Sequence, residues 1–122
     1  KSLYDIEGAM NGFEVRVISE IAGMPNVRFW HRNQVKGRGF AINGFKSNHY
    51  PDFIIYTESG KVIVLETKGD DRDNSDTEAK CRLGKKWAEL AGKEFIYMMV
   101  FDQREVAGAY SFDQAKGLIR EM

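Results

Sequence analysis

The amino-acid sequence predicts a single α/β domain over residues 1–122, and three observations carry that prediction. The chain has 122 residues, 43% hydrophobic and 12% aromatic, which is enough for one core and too little for two. Phe53–Tyr56, Val62–Leu65 and Phe95–Phe101 are apolar at consecutive positions over strand-like lengths, as in strands covered on both faces. Around them, apolar residues recur at three- and four-residue steps, the spacing of amphipathic helices.

Leu3, Ile6, Met10, Val17, Ile18 and Ile21 keep helical spacing to about residue 22. Gly8 and Gly12 weaken the first half, so the helix can equally start near Asn11, a residue suited to an N-cap. Met24-Pro25-Asn26 ends it, and Val27–Arg32 reads as a short strand with Phe29 and Trp30 as aromatic bulk. Residues 33–50, rich in Gly and Asn around Phe40 to Ile42, read as a loop or short hairpin strand. Asp52–Thr57 and Lys61–Lys68 flank Glu58-Ser59-Gly60. Three linking residues ending in glycine suit a hairpin, so these strands should pair antiparallel. After the polar loop 69–75, Asp76 is placed to cap a helix running to about Ala91, with Ala79, Leu83, Trp87 and Leu90 on one face. Phe95–Phe101 is a third buried strand, and residues 112–122 form a closing helix.

Eighteen Lys+Arg balance 18 Asp+Glu, which argues against a polycation that coats nucleic acid. The charge nevertheless falls in blocks. Residues 15–50 hold six cations and one anion, residues 51–79 eight anions and three cations, and residues 80–93 five cations and one anion. An acidic block between basic flanks fits a site that collects divalent cations beside surfaces that attract phosphate, and ordinary surface charge fits it equally well. No apolar run is long enough to span a bilayer. The lone Cys81 leaves no intrachain disulfide and suits a reducing, cytoplasmic location. A chain that starts on Lys1 without a charged-then-apolar leader reads as a domain of a longer protein.

Several chemistries fall away. Gly37-x-Gly39 lacks the third glycine of a dinucleotide cradle, and no GxxxxGK[ST] occurs. His31 and His49 lack ligand spacing for zinc, and Cys81 between Lys80 and Arg82 reads as a helix bystander. Trp30 and Trp87 suit packing better than base stacking.

What remains is Pro51-Asp52 at the start of one buried strand and Glu66-Thr67-Lys68 at the end of its hairpin partner. Counted outward from the turn, 57 faces 61 and 52 faces 66, so two carboxylates stand opposite each other. Side chains two apart share a face, so Lys68 lies beside them and Thr67 points away. In a sheet of Ile, Val, Leu and Phe such a pair is costly unless a hard divalent cation joins it. Lys68 could then orient an attacking water or neutralise charge developing on phosphate. On the first helix, Glu14 lies within about 60° of Met10, Val17, Ile18 and Ile21 on a helical wheel, so it should face the sheet as a third carboxylate. Glu20 lies on the solvated side. Each residue has an ordinary structural reading, as a strand cap, a salt-bridged strand end or a snorkelling glutamate; together they point to a metal site.

The same residues resemble the PD-(D/E)XK nuclease superfamily: Pro51-Asp52, thirteen intervening residues, then Glu66-Thr67-Lys68, preceded by a helix bearing Glu14. Further segments are Asn11-Gly12-Phe13-Glu14, Phe29-Trp30-His31-Arg32-Asn33, Tyr50-Pro51-Asp52-Phe53, Leu65-Glu66-Thr67-Lys68-Gly69, and the helix with Lys80, Gly84 and Trp87. With these the chain, over about residues 11–102, is similar to the C-terminal endonuclease domain of the restriction (helicase-nuclease) subunit of type III restriction enzymes. The resemblance implies a restriction-endonuclease-like α-β-β-β-α-β core, a mixed central sheet flanked by helices, and Mg²⁺-dependent cleavage of DNA, with Mn²⁺ able to substitute. It assigns Asp52, Glu66, Glu14 and the Thr67 carbonyl to the metal and Lys68 to catalysis. It also implies an N-terminal ATP-dependent motor and a modification subunit as partners, and no membrane. Arg32, Lys36, Arg38, Lys46 and Lys80 are the candidate phosphate contacts. A catalytically inactive nucleic-acid-binding or scaffold module on the same fold is the alternative, and a plain α/β interaction domain with structural carboxylates is a third.

Overall fold

Strands without a polar face need cover on both sides, and the central sheet has it. The computed structural model describes residues 12–33, 41–42, 51–70 and 75–122. Their order is α1 (Gly12–Ala22), β1 (Val27–Arg32), β2 (Phe53–Thr57), β3 (Val62–Lys68), α2 (Ser75–Ala91), β4 (Phe95–Phe101), β5 (Tyr110–Ser111) and α3 (Phe112–Arg120). The expected helical turns over 3–10, the Asn11 cap, and the possible hairpin strand apart from Ile42 lie outside the described residues. So does His49.

The chain is an α/β protein with one mixed sheet in the order β1-β2-β3-β4-β5. β1, β2 and β3 are antiparallel neighbours, and β4 and β5 run parallel to β3. The expected hairpin forms in the counted register, Phe53 opposite Leu65 and Tyr56 opposite Val62. Gly60 takes φ +90°, a conformation that side chains rarely adopt. The Thr57 hydroxyl closes the turn by accepting the Lys61 amide at 3.0 Å. β5 is not anticipated by the sequence, because a two-residue strand is too short to show alternation. Its Ser111 also caps α3, accepting the Gln114 amide while the Gln114 side chain accepts the Ser111 amide at 3.0 Å.

Alternation along the strands sorts the core into two layers. Phe53, Ile55, Ile63, Leu65, Met98 and Val100 point to the side covered by α1 and α3, through Val17, Ile18, Ile21, Phe112, Ala115 and Ile119. Val64, Tyr97, Met99 and Phe101 point to the other side and pack with Ile42 and α2. Trp30 is buried edge-to-face on Phe53, and Trp87 packs on Phe95. Both tryptophans are packing residues.

α2 corrects one expectation. It begins at Ser75, which places Asp76 inside the helix rather than before it. Its apolar stripe is also only partly buried, with Leu83 and Trp87 packed against the core. Leu90 is 77% exposed and Ala79 is exposed, whereas Thr77, Cys81 and Gly84 are buried and Ala88 is half-buried. The helix seats on its small residues because β4 presents the bulky Tyr97 ring: a Cβ at Gly84 would lie 2.4 Å from it. Large side chains on this face would lift α2 off the sheet. Gly84→Ala should therefore overpack the contact, outweighing alanine's helix preference, with a net loss of about 1–2 kcal/mol in urea unfolding. A stabilised variant would show that the ring has room to turn.

Candidate active site

The register that joins β2 to β3 brings Asp52 and Glu66 together, as counted from the turn. Asp52 immediately precedes β2, and its backbone is tied to both neighbouring strands. Its amide donates to the Leu65 carbonyl at 3.0 Å, and its carbonyl accepts the Asn33 amide at 2.8 Å. Asn33, buried at the end of β1, also donates from its side chain to the Pro51 carbonyl at 2.9 Å. Glu66 is 6% exposed and on the α2 side of the sheet, two residues beyond Val64.

Burial, together with the charge of Asp52 and a hydrogen bond to it, pushes the Glu66 carboxyl up to about 9, against weaker opposing pulls from Lys68 and Lys80. The shift favours the protonated form of Glu66 beside Asp52. The Lys68 ammonium lies 3.6 Å from the Glu66 carboxyl. With Glu66 neutral this contact is a charge–dipole one, and Lys68 balances the charge of Asp52. Lys80 on α2 is half-buried and close enough for its charge to act on Glu66. Asp52, Glu66, Lys68 and Lys80 thus form one electrostatic unit in an apolar surround.

Two features of the unit carried no sequence signal. Thr67, expected to contribute through its carbonyl, donates to one Asp52 oxygen from its amide at 2.7 Å and from its hydroxyl at 2.8 Å. Tyr97 lies beneath the pair, and burial with the nearby Glu66 and Asp52 charges pushes its phenol up.

Glu14 lies in the first turn of α1. α1 does put its first turn near this end of the sheet, since Arg16 pairs with Asp102 just beyond β4. However, α1 packs on the face of Ile63 and Leu65, and Glu66 points to the opposite one. Among the described residues no three His, Cys, Asp or Glu side chains converge as a metal-holding group. Glu14 is half-buried on its own side of the sheet. A helical wheel shows the inward side of a helix but not which face of a sheet the helix will cover.

Of the candidate phosphate contacts, Lys80 stands at the pair. Arg32 closes β1 on the face of Trp30, opposite to Glu66. Lys36, Arg38 and Lys46 lie outside the described residues. Cys81 is buried with its thiol donating to the Gly108 carbonyl at 3.1 Å, and burial pushes the thiol up, as fits a bystander.

The donors at the pair are hard oxygens. A strand residue directs its N–H and C=O to the same edge, so the Thr67 carbonyl leans to the Asp52 side as its amide does. Two carboxylates and a carbonyl fit a small divalent cation, which usually takes one or two carboxylates and fills the rest of its shell with water and phosphate oxygen.

Comparison with family models, curated proteins and solved structures gives no match. No helix among the described residues is long and apolar enough to cross a membrane.

The raised Glu66 pKa fixes a pH dependence. Glu66 ordinarily titrates near 4.5 and in the fold near 9, so between these values the native state holds a proton that the unfolded chain has released. The contribution is fully present below about 4.5 and is lost as pH rises toward 9. Metal-free protein should lose stability across that window, and Glu66→Gln should flatten the profile. Parallel urea midpoints for the two proteins from pH 5 to 9 would refute the shared proton.

Proposed function

We propose that the chain is a metal-dependent DNA endonuclease domain with a restriction-endonuclease-like core, hydrolysing phosphodiester bonds as the cleavage module of a type III restriction enzyme-like helicase-nuclease. The observation that carries the reading is the Asp52–Glu66 carboxylate pair, held in an apolar sheet with Lys68 and Lys80 beside it. Burial and the neighbouring Asp52 raise the Glu66 carboxyl, and a bound cation would offset both effects. Asp52 and Glu66, with the Thr67 carbonyl, would hold Mg²⁺, or Mn²⁺ in its place. The cation supplies Lewis acidity toward the phosphate and the attacking water.

The chain's own residues do the rest. Lys68, on the same face as Glu66, offers N–H donors to the attacking water and to the phosphate oxygens as negative charge builds on them. Lys80 meets a neighbouring backbone phosphate, which supports affinity and carries no sequence preference. The low-dielectric surround, with Tyr97 beneath the acids, strengthens each of these charge interactions. Hydrolysis adds one water across one P–O bond, and the proton lost by the water leaves through solvent or Lys68.

The test is plasmid nicking by the wild-type chain with Mg²⁺ or Mn²⁺, beside Asp52→Ala and Lys68→Ala. Each variant should lose about 10²-fold or more in rate, and EDTA should abolish cleavage. Equal cleavage by all three proteins would trace the activity to a contaminant and remove the reading. Retarded migration of duplex DNA without any cut would favour the inactive binding module.

A further inference from the structure

Asp52 precedes its strand, and a carboxylate in that position has one freely turning bond too many to stay opposite Glu66 unaided. The ordinary partner for the Thr67 amide at this point of an antiparallel ladder is a backbone carbonyl of the adjacent strand. Here the carbonyl of Pro51 is engaged by the Asn33 side chain at 2.9 Å, and the Thr67 amide turns to the Asp52 carboxylate at 2.7 Å. The Thr67 hydroxyl adds a second donor to the same oxygen, at 2.8 Å. Thr67 is only 9% exposed, so water competes poorly for either bond. One oxygen of Asp52 is thereby committed to Thr67, and the other is left for Glu66, whose carboxyl hydrogen-bonds to Asp52.

We infer that Thr67 is a positioning residue whose side-chain hydroxyl, acting with its own amide, locks the Asp52 carboxylate in the orientation that faces Glu66. The inference rests on the reading of the pair as the working centre and adds a role for the Thr67 side chain, which bonds Asp52 directly. A threonine suits the place for two reasons. Its β-branched shape favours a strand, and its hydroxyl supplies a donor that valine of the same shape does not.

That isosteric contrast is the experiment. Thr67→Val keeps the shape and the amide and removes the hydroxyl donor, and Thr67→Ser restores the donor without the methyl. In metal-free protein the Asp52 carboxyl carbon resonance should move in Thr67→Val and hold its wild-type position in Thr67→Ser. Mn²⁺ affinity, read from the free-ion signal in electron paramagnetic resonance, should fall about 10-fold to 100-fold in Thr67→Val and stay near wild type in Thr67→Ser. Thermal unfolding of both variants checks that they are folded at the temperature of measurement. A carboxyl resonance that does not move in Thr67→Val, or that moves equally in Thr67→Ser, overturns the inference. If the wild type binds no Mn²⁺ while the resonance follows the expected pattern, the positioning role stands and the cation reading fails.

Discussion

Two carboxylates facing each other in an apolar sheet cannot both be charged, and the site is organised by that constraint. The Glu66 carboxyl takes a proton, hydrogen-bonds to Asp52, and leaves one negative charge for Lys68 to balance. In the proposed function a divalent cation would satisfy the same constraint differently, replacing the proton with two positive charges and freeing Lys68.

The fold serves the pair by making its position rigid. The three-residue turn at Gly60 sets the β2–β3 register, which ends at Phe53 opposite Leu65 and leaves Asp52 and Glu66 as the next residues of the two chains. Asn33 holds the Pro51–Asp52 backbone from β1, so three strands in succession define where one carboxylate stands. On the other side of β3, parallel pairing with β4 places Tyr97 under the acids, and α2 can approach only because Gly84 leaves room for that ring. The closeness of Lys80 to Glu66 follows from that approach. A small residue on the helix therefore governs the electrostatics of a carboxylate on the sheet.

The segments α1, β1, β2, β3, β4 and α3 were legible within a residue or two, because their apolar runs and turn residues are strong local signals. The meeting of Asp52 with Glu66 was legible too, since an antiparallel hairpin with a short turn allows counting. What failed depended on a distant surface. Of the α2 stripe read from periodicity, Leu83 and Trp87 pack against the core but Ala79 and Leu90 are exposed, because the bulk of Tyr97 draws the side with Gly84 onto the sheet.

Local order along the chain determined the strands, the hairpin and the carboxylate pair, because hydrogen-bond ladders and two-residue alternation depend on near neighbours. Which helix lies on which face, which stripe of α2 is buried, and that Thr67 holds Asp52 were decided only in three dimensions. Those outcomes turn on the volumes and donors that distant segments bring to a shared surface, and periodicity within one segment carries no record of them.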